Sequence, residues 1–145
     1  MAESVVERSV KIDAATADVW RVFTDPAVTR LMGGEYVSDW QVGSSFSWQG
    51  LDGTRLTRGI ILQIEAEKLL QHNLFAVDDP GGEEGAPVVS VITYRLHPVD
   101  AQTILIGREE FALPLDEQAY ADAMEGWEIA LKSVKDLAEN NREAQ

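Results

Sequence analysis

One long amphipathic segment, residues 115–141, constrains the fold of this chain most. Apolar side chains recur in it at intervals of three and four residues, which places them on one side of an α-helix. These side chains are Tyr120, Met124, Trp127, Leu131, Val134 and Ala138. A helix of about 25 residues is about 37 Å long, so it spans a small domain. A wide apolar surface must therefore cover this side of the helix.

The segments before the helix are mostly typical of β-strands. Alternating apolar and polar residues predict strands at 5–12, 36–40, 45–49, 55–66, 69–77, 88–97 and 103–111. Asp52-Gly53 and residues 98–101 predict tight turns, and the glycine-rich segment 78–87 predicts a longer loop. Successive strands joined in this way form an antiparallel sheet with one covered face, which the long helix would cover.

Two short helices are predicted between the first strand and the others. The first runs over residues 16–24 and would be capped by Asp13 or Thr16. Pro26 opens the second, which extends to Leu31 and ends at two glycines. At 145 residues the chain is expected to be a single domain, residues 1–145. Its end is expected to fray from about Asn140, with 142–145 as a tail.

The net charge of the chain limits the classes of molecule that it is expected to bind. The chain has 25 Asp and Glu against 12 Lys and Arg, a net charge of -13. Such a surface repels nucleic acid and anionic membranes, so neither is an expected partner. A basic protein or a cationic or neutral small molecule remains open, although the acidity can also serve solubility alone. No basic leader and no apolar run of about 18 residues is visible, so we expect a cytoplasmic location.

Few residues are available for catalysis or for cofactors. The absence of cysteine excludes disulfides, thiolate metal sites and cysteine nucleophiles. Only two histidines occur, His72 and His97, so no metal site and no cofactor are predicted. Segment 78–87 has adjacent acids and no lysine, which is unsuited to phosphate. We find no acid and base pair that would support an enzyme, and an enzyme acting on a bound ligand stays an open alternative.

Several motifs together resemble one family. They are residues 38–44 (SDWQVGS), 46–50 (FSWQG), 52–53 (DG), 59–64 (GIILQI), 91–96 (VITYRL) and 127–135 (WEIALKSVK). Their order resembles the SRPBCC or START-like (Bet v 1-like) superfamily over about residues 5–139. The nearest branch is that of the C-terminal domain of the Hsp90 ATPase activator Aha1. Glu109 stands where many members of this branch carry histidine.

This resemblance implies an α+β helix-grip fold, in which a curved antiparallel sheet wraps the C-terminal helix and two short helices close one end. Members commonly hold an elongated cavity between sheet and helix that accepts apolar molecules. Some members are enzymes, several are carriers, and one branch stimulates a chaperone ATPase.

Strand alternation and the helical stripe predict which side chains face the space between sheet and helix. The candidate ligand-binding residues are Phe23, Leu31, Trp40, Phe46, Trp48, His72, Leu74, Tyr94, Leu105, Glu109, Tyr120, Met124 and Trp127. A register slip of one residue would exchange every inward side chain for its neighbour. The same residues can also simply fill a solid core. Access to the space would be controlled by residues 26–34 and 78–87.

Two of these candidates, His72 and Glu109, carry polar side chains. His72 can anchor a ligand through a hydrogen bond, or it can be a partly exposed histidine on the sheet. Glu109 and Glu110 are adjacent in a strand, so they point to opposite faces and cannot form a carboxylate pair. An inward Glu109 would need Arg58 or Arg95 to neutralise it, and otherwise it belongs at the rim.

The sequence therefore predicts binding of a small hydrophobic or amphipathic ligand between sheet and helix, with His72, Tyr94, Tyr120 or Glu109 orienting its polar end. The alternative is a chaperone-associated interaction module, which a filled interior would favour. Both a monomer and a homodimer remain open.

Overall fold

The computed structural model describes residues 5–32, 34–52, 55–75 and 88–143. The elements in these ranges are β1 (Val5–Ile12), α1 (Thr16–Thr24), α2 (Pro26–Thr29), a 3₁₀ turn (Arg30–Met32), β2 (Gly34–Ser38), β3 (Ser45–Gly50), β4 (Arg55–Glu65), β5 (Leu69–Phe75), β6 (Val88–Val99), β7 (Gln102–Phe111) and α3 (Glu117–Glu143). The predicted α+β helix-grip arrangement is confirmed. Within these ranges, no helix combines the length and apolar character that crossing a bilayer requires.

The strands form one antiparallel sheet in the order β1-β7-β6-β5-β4-β3-β2. Strands β2 to β7 follow one another as a meander, and β1 joins beside β7 with Val10 opposite Leu105. Burial agrees with the predicted register. Leu105 is fully buried, whereas Glu110, predicted to point to the face opposite Glu109, is exposed.

The sheet curves sharply where β4 meets β5. A Cβ on Gly59 would lie 1.8 Å from the carbonyl oxygen of Asn73, so only glycine permits this approach of the two strands. The Asn73 side chain accepts a hydrogen bond from the Ile60 amide at 2.8 Å. A register shift follows between Ile61 and Gln63. Such irregularities increase the local bend of a strand, which lets the sheet wrap an interior.

Helix α3 packs chiefly against β1 and α1. Its stripe residues Leu131, Val134 and Ala138 are buried there, as the periodicity predicted. Arg8 on β1 forms an ion pair with Glu128 on the helix. The Glu139 carboxylate accepts hydrogen bonds from Lys135 and from the backbone amide of Asp13. These two bonds, the lysine first, lower the pKa of Glu139.

One local prediction about the helices needs correction. The N-cap of α1 is Ala15, without a side-chain cap, so the predicted cap at Asp13 or Thr16 is wrong. The Thr16 hydroxyl instead donates to Glu67 at 3.2 Å. At the other end of the chain, α3 extends through Glu143, and the fraying predicted from about Asn140 stays a prediction.

Two strand ends also differ from prediction. Strand β2 stops at Ser38, whose hydroxyl accepts a hydrogen bond from the Trp40 amide at 3.0 Å, and Trp40 has a φ of 58°. This local bond turns the chain and removes Trp40 from the strand. Strand β6 continues through Pro98 to Val99. Its pairing with β5 ends at Arg95, so Pro98 has a neighbouring strand only on the β7 side and its missing N–H interrupts no pairing with β5. Gly53 of the predicted Asp52-Gly53 turn lies outside the described residues, and so does the whole of the predicted loop 78–87.

Candidate functional site

A layer of aromatic rings fills the middle of the interior. We call it the aromatic layer, and it consists of Phe23, Tyr36, Phe46, His72 and Tyr94. The rings of Phe46 and His72 stack with centroids 4.0 Å apart and an interplanar angle of 25°. Phe23 lies 4.7 Å from Tyr94, and Tyr36 lies 5.1 Å from Phe46. Rings from α1, β2, β3, β5 and β6 therefore pack on one another in this part of the interior.

Tyr36 was missed as a candidate, although it lies at the centre of this layer. Its hydroxyl and that of Tyr94 share a hydrogen bond. Burial raises the pKa of Tyr36 to about 12. Burial also raises the pKa of Tyr94 well above its usual value, and the nearby Tyr36 and Glu109 add to this effect. Strand alternation places Tyr36 on the same face as Trp40, so the sequence pattern could have identified Tyr36 as an inward-facing residue.

His72 is buried, with 3% of its surface exposed, so the alternative of a partly exposed histidine is wrong. Its Nδ1 lies 3.0 Å from the carbonyl oxygen of Asn73. Burial lowers the pKa of His72 to about 4, against the opposing effect of that hydrogen bond. The ring is therefore neutral at pH 7, Nδ1–H donates to the carbonyl, and Nε2 is an acceptor without a partner among the described residues.

A cavity of about 300 Å³ lies between the first half of α3 and the inner face of β5, β6 and β7. We call it the helix cavity. It is lined by Leu74, Ile92, Tyr94, Glu109, Ala123, Gly126, Trp127 and Ala130. Gly126 is exposed and a Cβ built on it meets nothing within 4 Å, so the helix cavity is open to solvent beside this residue. This space is where the molecule can accept a small guest.

Trp127 forms the boundary of the helix cavity against β7. Its six-membered ring lies directly on Gly107, where a Cβ would come within 2.2 Å of the ring. Its indole nitrogen donates to Glu109 Oε1 at 3.0 Å. The residues it meets, 107 and 109, share one face of β7. Glycine at 107 thus lets the indole lie flat enough to reach the carboxylate.

Glu109 is the charged group of the helix cavity. Its second oxygen, Oε2, accepts a hydrogen bond from the Ser90 hydroxyl at 2.7 Å. Glu109 is half-buried, and among the described residues no cation forms an ion pair with it. Neither Arg58 nor Arg95, the partners that a fully inward Glu109 would need, pairs with it; neutral donors hold the half-buried carboxylate, which is closer to the rim position given as the alternative. Glu110 points to the opposite face as predicted, where it pairs with Arg108.

A family model agrees with this architecture. Residues 13–139 match the family described as Activator of Hsp90 ATPase homolog 1-like protein. The chain belongs to this family. A search of the curated proteins finds no match.

Solved structures resemble this AHSA1-like chain over nearly its full length. Protein MLL2253 from Mesorhizobium loti is 22% identical, with 94% of this chain and 97% of that chain covered and a TM-score of 0.74. CalU16 from Micromonospora echinospora is 24% identical, with 97% and 79% covered and a TM-score of 0.67. The Aha1 dimer from Colwellia psychrerythraea is 17% identical, with 94% and 97% covered and a TM-score of 0.70. At these identities the likeness shows the shared fold.

The structure of this AHSA1-like chain distributes the predicted site residues over different places. Leu74, Tyr94, Glu109 and Trp127 line the helix cavity. Phe23, Phe46, His72 and Tyr94 belong to the aromatic layer, and Trp40 and Trp48 pack against its member Tyr36. Leu105 is fully buried in the core, while Tyr120 and Met124 are half-buried against it.

Leu31 is the exception, since 72% of its surface is exposed. It lies in the 3₁₀ turn, after Val28 and Thr29, which are the buried residues of this segment. Its prediction as a lining residue is wrong. None of the described residues of segment 26–34 lines the helix cavity, and residues 78–87, the other predicted access segment, lie outside the described ranges.

A further cavity of about 320 Å³ lies beside α1, lined by Trp20, Thr24, Trp40, Ile64 and Ala66. It contains no charged side chain. Among the described residues, no three histidine, aspartate or glutamate side chains are placed to hold a metal ion together. Glu109 is the charged side chain among those that line the helix cavity.

Proposed function

We propose that this AHSA1-like chain binds a small amphipathic molecule in the helix cavity. The observation that carries the proposal is a space of about 300 Å³ in which apolar walls surround one half-buried carboxylate. Leu74, Ile92 and Ala130 would contact the apolar body of the ligand. Glu109 would accept a hydrogen bond from its polar end, as is usual for small-molecule pockets with few polar groups.

The size of the cavity limits the ligand. Pockets for drug-sized molecules begin at roughly 300 Å³, so this space suits a molecule of one or two rings. A longer guest would have to displace the rings of the aromatic layer. This favours a compact ligand over the long lipids or sterols that a fully open helix-grip cavity would accept.

The chemistry of Glu109 favours a ligand that donates hydrogen bonds, above all an amine. A carboxylate only accepts hydrogen bonds, and Trp127 and Ser90 leave some of its acceptor positions free. A charge partly removed from water is costly without a countercharge, which an ammonium group would supply. The faces of Tyr94 and Trp127 beside it would add cation–π attraction. The net charge of -13 also favours a cation.

The proposal can be tested by titrating the full chain with benzylamine while recording its backbone amide spectrum. We expect saturable shifts at Leu74, Glu109 and Gly126. Glu109→Gln should weaken binding by about tenfold or more, because a charge-assisted hydrogen bond is replaced. Glu110→Gln is the matched control with the same charge change on the opposite face, and it should bind as the unchanged chain does.

A second variant protects this test against a folding defect. Gly126→Leu should fill the open space beside the helix and abolish benzylamine binding while the amide spectrum keeps its dispersion. Unchanged affinity in both Glu109→Gln and Gly126→Leu would refute the proposal. Native mass spectrometry of freshly purified protein would then identify any molecule that copurifies with the chain.

The family match and the aromatic layer also favour a second candidate, interaction with a chaperone ATPase of the Hsp90 class. An acidic surface would meet a basic partner surface, so the interaction should weaken with salt. The test is the ATPase rate of a purified Hsp90 with and without this chain at low and moderate salt. An unchanged rate in both would exclude this candidate, and an increase that Gly126→Leu preserves would separate it from ligand binding.

A further inference from the structure

A concave region lies on the outer face of the sheet, opposite α3. This outer groove has a volume of about 400 Å³, and its lining includes Val37, Ser45, Ser47, Arg58, Ile60 and Phe75. Ser47 pairs across the strands with Val37 on one side and Arg58 on the other, so all three project from the same face. Phe46 also borders the groove, but its ring stacks on His72 in the aromatic layer. The sheet therefore separates the outer groove from the helix cavity.

Arg58 is the charged group of the outer groove. Its guanidinium carbon lies 5.7 Å from the centre of the Phe75 ring, a distance at which the ring face attracts a cation. Phe75 thus holds the guanidinium at the wall of the groove. The arrangement restricts a side chain that would otherwise lose much rotational freedom when it binds a ligand.

Arg58 also lacks an anionic partner among the described residues. Three arginines, Arg8, Arg21 and Arg108, each form an ion pair with a carboxylate. Arg30 and Arg95 form none in the described ranges either, but they are exposed, whereas Arg58 is half-buried. In a chain with 25 acidic and 12 basic residues, a half-buried guanidinium without a carboxylate is unusual. An anionic ligand can supply the partner that the described residues do not provide.

We propose that the outer groove binds a small organic carboxylate with an apolar body. A guanidinium offers two parallel N–H donors in a geometry that fits a carboxylate. The hydroxyl groups of Ser45 and Ser47 supply further donors beside it. Val37, Ile60 and Phe75 supply apolar contact for one ring or a short chain. This site is independent of the helix cavity in both position and charge.

The charge of the whole chain acts against an anion at long range, so the contact must be local. At about 0.15 M ionic strength the screening length is about 8 Å, which confines repulsion from distant carboxylates. The titration should therefore be done at that ionic strength.

Benzoate is the probe, and the amide spectrum of the full chain is the readout. We expect saturable shifts at Ser47, Gly59 and Phe75 with a dissociation constant on the order of 1 mM. Arg58→Gln should weaken binding by about tenfold or more. Arg58→Lys should weaken it less, because lysine keeps the positive charge but lacks the two parallel N–H donors of the guanidinium. Arg95→Gln is the control with the same charge change at an exposed position, and it should leave the affinity unchanged.

Three results would overturn the proposal. Shifts that never saturate would show only weak association. Equal losses in Arg58→Gln and Arg95→Gln would show a general charge effect. Benzyl alcohol binding as tightly as benzoate would show that the carboxylate plays no part. Glu109→Gln should not weaken benzoate binding, so this proposal and that for benzylamine in the helix cavity fail or succeed separately.

Discussion

The two halves of α3 carry the same apolar stripe but face different surroundings. In the second half, Leu131, Val134 and Ala138 are buried against β1 and α1. In the first half, Gly126 borders a cavity, and Met124 is only half-buried. One periodic pattern thus produces a closed contact at one end and an open space at the other.

The difference shows that the apolar stripe determines which side of α3 is covered, whereas the small residues beside the stripe determine how closely that side packs against the sheet. Ala123, Gly126 and Ala130 flank Trp127 in the first half and leave room beside it. Trp127 separates the two regions, because its ring lies on β7 and its indole nitrogen holds the carboxylate of the cavity. Stability and binding should therefore respond differently to changes in the two halves.

The largest effect on stability should come from Trp127, which separates the two halves of α3. Trp127→Ala should lower the free energy of unfolding by about 3 to 5 kcal/mol, because it removes a large buried ring. Urea denaturation measures this. Ile129→Ala is the control on the same helix at a position with 61% exposure, and it should change stability by no more than about 0.5 kcal/mol. An unchanged midpoint in Trp127→Ala would remove the distinction between the halves.

A second effect tests whether the open end admits water to the aromatic layer. The pKa of His72 is about 4 in the folded chain, against an ordinary value of 6.5. Between these values the unfolded state binds more protons, so stability is complete above pH 6.5 and falls as the pH drops toward 4. The full loss from this residue amounts to about 3 kcal/mol.

Urea denaturation at about pH 7.5 and about pH 4.5 would measure this loss. His72→Gln should remove this part of the pH dependence, whereas His97→Gln, at an exposed position, should keep it. A ring titration of His72 near pH 6.5 would contradict the burial and show that water reaches the layer from the cavity.

The smallest effect concerns the open half alone. Gly126→Ala should raise the free energy of unfolding by about 0.5 to 1 kcal/mol, since alanine favours the helix and its methyl group meets nothing within 4 Å. Gly107→Ala should do the reverse, because its Cβ would collide with Trp127. Thermal denaturation compares the two. A loss of stability in Gly126→Ala would mean that the first half is packed as tightly as the second.

Much of the fold was predictable because its signals are local. The spacing of Trp127, Leu131 and Val134 predicted the buried side of α3, and the alternation around Leu105 predicted the register of β7. Leu31 and Trp40 were placed less well. Their positions depend on a 3₁₀ turn and on the hydrogen bond that the Trp40 amide donates to the Ser38 hydroxyl, which interrupt the regular period.

The candidate site was only partly predictable. Glu109 was recognised as a polar candidate, but its partners Trp127 and Ser90 lie 18 and 19 residues away in sequence. No local pattern connects them. Tyr36 was missed although its strand was recognised, because alternation identifies a face and not which of its side chains meet at the centre.

The sequence by itself determined the succession of elements, the inward faces of most strands and the covered side of the long helix, since each depends on a repeat of two or about 3.6 residues along the chain. Only the tertiary structure decided that aromatic rings meet in the middle of the interior, that a space of about 300 Å³ lies beside Gly126, and that no carboxylate of the described residues pairs with Arg58 on the outer face. The physical reason is that volume and charge pairing are sums over side chains from distant strands, which meet only after the sheet has curved around the helix.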